Sequence, residues 1–111
     1  MSDRIVTNSD LQKALDFLRD SANDLGLAKA RAVKAGHMIK HIEAIEFKAS
    51  DATSNDKRQA DARTSDAYVD AINEDAYAAG ELAKLQALRE AAAMKIESWR
   101  SEQANYRAMR I

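Results

Sequence analysis

The chain has 111 residues, a formal net charge of −1 at pH 7 and a sequence pI near 6.1. This length allows one domain at most, and the near-neutral charge gives no overall attraction to nucleic acid or to a membrane surface. With no cysteine, disulfides and thiolate metal sites are excluded. The start MSDRIVTNSD carries no apolar signal-peptide core, and no apolar run approaches the length of a membrane span. The expected location is therefore cytoplasmic.

Residues 1–8 are predicted to form a flexible tail, followed by a helix over about residues 10–25. The start of this helix is predicted at Ser9, which together with Gln12 matches the spacing of a capping box. Gly26 stands where the apolar pattern pauses, and glycine often adopts the left-handed conformation that ends a helix. The sequence leaves open whether Gly26 ends the helix or only bends it.

Three further helices are predicted over about residues 27–50, 55–63 and 66–109, separated by polar residues that compete with the helical backbone for hydrogen bonds. The last of them would be about 65 Å long, which exceeds the core that so short a chain can build. Such a helix must lie along another one. We therefore predict an all-α fold, in which a short N-terminal helix precedes an antiparallel helical hairpin or coiled coil. Residues 9–111 are predicted to form a single hairpin domain.

Two blocks of opposite charge favour this pairing. Residues 29–41 carry four bases and no acid, and residues 66–81 carry five acids and no base. With few aromatic residues and many alanines, the chain has little material for a monomeric core, so we expect a homo-oligomer. The stripe of the long helix predicted to face inward is Tyr68, Ile72, Ala79, Leu82, Leu85, Leu88, Ala92, Ile96, Trp99, Gln103 and Tyr106.

No catalytic pattern is found. His37 and His41 are four residues apart and could share a helix face, but a metal site needs further ligands that the sequence does not supply. The carboxylates are not embedded in apolar runs that would shift their pKa for acid or base work. We therefore predict no enzyme activity, no catalytic or cofactor-binding residue, no metal and no cofactor.

The most distinctive segment lies near the C-terminus. Trp99 and Tyr106 are seven residues apart, as are Arg100 and Arg107. Three interpretations remain open: packing within the fold, contact with a partner protein, for which Trp, Tyr and Arg are favoured anchors, or stacking and phosphate contacts with single-stranded nucleic acid. The candidate interaction surface consists of Arg89, Trp99, Arg100, Gln103, Tyr106 and Arg107.

From about residue 28 onward, an alanine-rich helix and a polar gap are followed by the run from Lys57 to Ala62, by Tyr68 and by the run from Lys95 to Ala108. This order of features resembles a group of small, alanine-rich helical phage and prophage proteins. Such proteins occur near phage recombination and replication genes, and the resemblance transfers no site residue of known role. The ending W-R-(S/T)-x-Q-A-N-x-R-A carries most of the resemblance, at Trp99, Arg100, Ser101, Gln103, Ala104, Asn105, Arg107 and Ala108.

These observations together predict a non-enzymatic, phage-type accessory protein in the cytoplasm of a bacterial host. It is expected to self-associate and to bind a phage or host protein in DNA metabolism or host defence. One alternative is a direct single-stranded nucleic-acid binder in phage recombination. Another is a structural or assembly protein of the virion. No membrane partner is expected.

Overall fold

The structure is a computed structural model that describes residues 6–109, and the protein is all-α. Its four helices are α1 (Asn8–Asp20), α2 (Ala22–Ala49), α3 (Asn55–Thr64) and α4 (Asp66–Met109). The predicted all-α class and the long C-terminal helix are confirmed. Within residues 6–109, no helix is both long enough and apolar enough to cross a membrane.

The first helix begins earlier than predicted, because its cap is Thr7. The Asp10 backbone N–H donates to Thr7 Oγ1 at 3.0 Å, and the Thr7 N–H donates to Asp10 Oδ2 at 3.1 Å. The backbone N–H of Thr7 lowers the pKa of Asp10 from its ordinary value. The predicted start at Ser9 is therefore wrong, because an acid three residues after Thr7 completes a reciprocal capping box.

The predicted tail at residues 1–8 is also wrong for its last three members. Val6 is buried, Thr7 is the cap and Asn8 is the first residue of α1. Val6 stands at the position before the cap, where an apolar side chain commonly fixes the entry of the chain into a helix. Residues 1–5 lie outside the described residues.

The boundary between α1 and α2 lies at Ser21, and the predicted helix end near residue 25 is wrong. Ser21 has a ψ of −2°, and its hydroxyl donates to the Phe17 carbonyl at 2.5 Å. A serine hydroxyl that bonds back to the preceding turn perturbs the helical path. Gly26 has no positive φ and continues as part of α2.

Contacts group the described residues into two compact units. Unit 1 comprises residues 6–25 and 84–109, and unit 2 comprises residues 26–83. The prediction of one hairpin domain over residues 9–111 stays a prediction.

In unit 1, α1 pairs with the C-terminal part of α4. Contacts join Asn8 to Trp99 and Ser21 to Arg89. Residue numbers therefore rise along one helix as they fall along the other, which is antiparallel pairing. The predicted antiparallel arrangement holds within this unit.

In unit 2, α2 pairs with the N-terminal part of α4 and with α3. Arg31 contacts Glu74, and Glu43 contacts Arg63, so this pairing is also antiparallel. Two serines cap the helices that follow the short connections. At the start of α3, Ser54 Oγ accepts a hydrogen bond from the Lys57 backbone N–H at 3.2 Å. Ser65 caps α4 in the same way, accepting from the backbone N–H of residue 68 at 3.2 Å.

Alanine dominates the buried positions of both units. Ala71, Ala78 and Ala92 lie on the inner side of α4 at separations of seven and fourteen residues, which is the heptad period of a coiled coil. The predicted stripe is wrong at Ile72, Leu88 and Tyr106, which are each more than 40% exposed, and at Ala79. The buried hydrophobic residues are Val6, Ala14, Ala35, Ala62, Ala78 and Ala92.

Candidate protein–protein interface

Arg89 lies on α4 in unit 1 and is held by α1. Its Nη1 donates to the Leu18 carbonyl at 2.8 Å and to Ser21 Oγ at 2.6 Å. A guanidinium at this point satisfies acceptors at the C-terminal end of α1 and complements the negative end of the helix dipole. Arg89 therefore stabilises unit 1, and its guanidinium is already engaged there.

Trp99 is also turned toward α1. It is half-buried, and its indole Nε1 donates to Asn8 Oδ1 at 3.2 Å. Gln103, four residues further along, is half-buried as well. These two residues follow the inner side of α4, so the packing interpretation fits them better than an exposed stacking platform.

Arg100, Tyr106 and Arg107 form the exposed part of the predicted surface. Arg100 Nη1 lies 2.8 Å from Glu97 Oε1 on the same helix. Tyr106 is 41% exposed, and Arg107 is exposed. The structure thus divides the six predicted residues into an inner group (Arg89, Trp99 and Gln103) and an outer group (Arg100, Tyr106 and Arg107).

Large apolar side chains on the surface are the feature that the sequence interpretation missed. Within residues 6–109, no large side chain is fully buried. The alanine pattern alone gave no clear signal for this, because alanines occur on both the inner and the outer side of α4. Those exposed in unit 2 are Leu27, Val33, Ile45, Val69, Ile72 and Tyr77, and those in unit 1 are Leu15, Leu88, Met94, Tyr106 and Met109.

One side of unit 2 joins charge to an exposed aromatic ring. Arg31 donates to both carboxylate oxygens of Glu74, at 2.7 and 3.0 Å, and its guanidinium carbon lies 4.9 Å from the centre of the Tyr77 ring. The hydrogen bond raises the pKa of Arg31 and lowers that of Glu74 from their ordinary values. An opening of about 290 Å³ on this side is lined by Arg31, Lys34, Ala35, Met38, Ala71 and Glu74.

His37 and His41 are both exposed on α2. Within residues 6–109, no group of three or more His, Cys, Asp or Glu side chains is placed to hold a metal ion.

Comparison of the chain with protein-family models, with curated proteins and with solved structures finds no match.

Proposed function

We propose that the protein is a non-enzymatic helical interaction protein that self-associates and binds a protein partner. The observation that carries this proposal is the composition of the core. Among residues 6–109, the buried hydrophobic residues are five alanines and one valine, and alanine contributes little transfer free energy when it is buried. Additional burial of the larger exposed side chains is therefore the available source of further stability.

The exposed side chains support the same proposal. In each unit, large apolar side chains remain open to solvent: Leu27 in unit 2 is 62% exposed, and Met94 in unit 1 is 69% exposed. Exposed apolar side chains mark sites of protein association where several of them share one side of the molecule.

Sedimentation equilibrium of the purified protein tests self-association. We expect a mass that is a multiple of the chain mass and that falls on dilution. A mass of 12.3 kDa over the whole micromolar range would contradict the proposal.

The setting suggested by the phage-type ending is DNA metabolism or host defence, and the outer group of Arg100, Tyr106 and Arg107 is the surface we assign to the partner. Trp and Arg anchors concentrate binding energy when a partner buries them. Because Arg89 and Trp99 are engaged within unit 1, changing them would perturb the fold. Arg100 and Arg107 are exposed, so they are the residues to test.

Affinity capture from a bacterial host, with and without nuclease, tests partner binding. We expect a stoichiometric protein that survives nuclease and is lost when Arg100 and Arg107 are both changed to Ala. The matched control changes Lys29 and Lys40 to Ala, which removes the same charge from exposed positions in unit 2. Equal capture by both double variants would contradict the assigned surface.

Direct binding of single-stranded nucleic acid is the second candidate, favoured by the exposed Tyr106 between Arg100 and Arg107. It predicts a rise in fluorescence anisotropy of a labelled oligonucleotide at low salt, with an affinity that falls steeply as salt increases. The half-buried Trp99 is less suited to base stacking, because its indole is held against α1. No anisotropy change at low salt would remove this candidate.

A further inference from the structure

One side of unit 2, here called the charged face, combines large apolar side chains with charges of both signs. Arg31 shows which sides of α2 and α4 lie together, since it contacts Glu74 and lies over the Tyr77 ring. Residues seven apart occupy the same side of a helix. This spacing therefore identifies further residues of α2 and α4 that lie on the same side. The charged face consists of Leu27, Arg31, Lys34, Met38 and Ile45 of α2 with Asp70, Glu74, Tyr77 and Glu81 of α4.

The apolar members of the charged face are unusually open to solvent. Leu27 is 62% exposed, Tyr77 is 55% exposed and Ile45 is 47% exposed. Single exposed apolar residues are normal on protein surfaces, but several on one side indicate an association site. The opening beside Lys34 and Met38 adds a concavity to the same side.

The charges of this region are mostly unpaired within the chain. The basic block at residues 29–41 and the acidic block at residues 66–81 contain nine charged residues. Within residues 6–109, the only ion pair between the two blocks joins Arg31 to Glu74. Lys34 on α2 and Asp70 on α4 remain available, with opposite signs, on the charged face.

We infer that a second copy of this chain docks on the charged face about a two-fold axis parallel to α2 and α4, which names the surface of the self-association proposed above and rests on that proposal. Such an axis sets α2 against α4 of the second copy, in antiparallel orientation, as in a four-helix bundle. Arg31 and Lys34 of each basic block then face Glu74 and Asp70 in the acidic block of the other copy.

The register of this dimer follows from the contact of Arg31 with Glu74, which sets these two residues at the same height along the helices. A two-fold axis parallel to the helices leaves that height unchanged in the second copy. Lys34 lies three residues after Arg31, and Asp70 lies four residues before Glu74. Lys34 of one copy therefore stands level with Asp70 of the second copy. By the same count, Leu27 stands level with Tyr77 of the second copy. Each contact occurs twice, once on either side of the axis.

The area of the charged face suits a weak dimer that exchanges with the monomer. From Leu27 to Ile45, α2 extends about 27 Å, from Asp70 to Glu81 α4 extends about 16 Å, and each helix is about 10 Å wide. Pairing this surface with a second copy buries about 900 Å² in total, which is below the range of stable interfaces and within that of weak, transient ones. Val33 is also exposed, but the side of α2 that carries it is less suited to a two-fold dimer interface. Lys29 and Lys40 lie near Val33, and each would be repelled by the lysines of the second copy.

Leu27→Asp tests the docking surface, with Val33→Asp as the matched control. Both residues are exposed apolar positions of α2, and their exposures are 62% and 61%. Analytical ultracentrifugation should show the dissociation constant raised by more than about 100-fold for Leu27→Asp, because both copies lose apolar burial and would bury a charge. Val33→Asp should dimerise like the unchanged protein.

The outcomes separate this inference from the proposed function. A protein that is monomeric without any substitution contradicts self-association itself. A dimer that both aspartate variants leave intact, or that only Val33→Asp dissociates, overturns the charged face while leaving self-association standing. Circular dichroism of each variant checks that the helices persist.

Charge exchange and cross-linking test the register without relying on Leu27→Asp. Lys34→Asp and Asp70→Lys should each weaken dimerisation by about 3- to 10-fold, since two exposed ion pairs are lost, and the double variant should restore it. The chain has no cysteine, so a mixture of Leu27→Cys and Tyr77→Cys chains can form a disulfide only between copies. We expect the mixed cross-linked dimer in that mixture. Its absence, with cross-linking instead between Val33→Cys and Tyr77→Cys chains, would overturn the register.

Discussion

Unit 1 and unit 2 both bury alanine, but different kinds of side-chain contact join their helices. In unit 1, Arg89 reaches the backbone at the end of α1 and Trp99 bonds to Asn8. In unit 2, the cross-helix contacts include the exposed ion pair of Arg31 with Glu74. Two of the six candidate residues, Arg89 and Trp99, therefore serve the fold of unit 1, whereas the ion pair that joins α2 to α4 in unit 2 lies at the solvent surface. Both units leave large apolar side chains exposed.

Among the variants that test this comparison, replacing Arg89 should change the free energy of unfolding most. We expect Arg89→Met to lower the free energy of unfolding by about 2–3 kcal/mol, because it leaves the Leu18 carbonyl and Ser21 hydroxyl without a charged donor. Urea denaturation at fixed protein concentration measures this. Arg100→Met, an exposed change on the same helix, should stay within about 0.5 kcal/mol. Equal losses from the two variants would contradict the role assigned to Arg89.

The cap of α1 should give the next largest effect. Thr7→Ala removes the side-chain acceptor for the Asp10 N–H, and we expect a loss of about 1 kcal/mol in thermal or urea unfolding. Ser9→Ala is the control, since Ser9 lies inside α1. If Ser9→Ala were the more damaging change, the helix would begin where the sequence pattern predicted.

Gly26 should be replaceable with a gain in stability. A Cβ at this position meets nothing within 4 Å, and alanine within a helix is favoured over glycine by about 0.5–1 kcal/mol. Gly26→Ala should therefore raise the melting temperature. A fall would mean that Gly26 needs a conformation closed to alanine, as expected if the helix ended there.

The ion pair of unit 2 should give the smallest effect. Glu74→Gln should lower the free energy of unfolding by less than Thr7→Ala does, because exposed pairs contribute little and are screened by salt. Compared with Arg89→Met, this variant shows how much less an exposed arginine contact contributes to the free energy of unfolding than a partly buried one. A loss as large as that of Arg89→Met would contradict this difference.

The same pair sets a direction for acid stability. The pKa values of Glu74 and Asp10 are lowered in the folded protein, so the unfolded state binds more protons as pH falls. Their contributions are present above the ordinary carboxyl pKa and are lost as pH falls through the lowered values. Stability measured from pH 5 downward should therefore fall less steeply for Glu74→Gln than for the unchanged protein.

Particular residues show how far the sequence could be read. The four helices were predictable, because the chain has no proline and its polar gap near residues 50–56 interrupts an alanine-rich pattern. The break at Ser21 was not, because it depends on how its hydroxyl and Arg89 meet. Of the candidate surface, the stripe predicted to face inward included Trp99 and Gln103, which are half-buried, and also Tyr106, which is exposed.

By itself the sequence determined the class of protein: helix-favouring residues and an alanine-rich pattern lead to paired helices with a small-residue core. Only the tertiary structure decided which side of each helix faces inward. Alanine fits an inner position and an outer position almost equally well, so its pattern fixes orientation weakly. The contacts of Arg89, Trp99 and Arg31 with neighbouring helices decide that orientation, and they leave Leu27 and Tyr77 on the surface that we assign to a second copy.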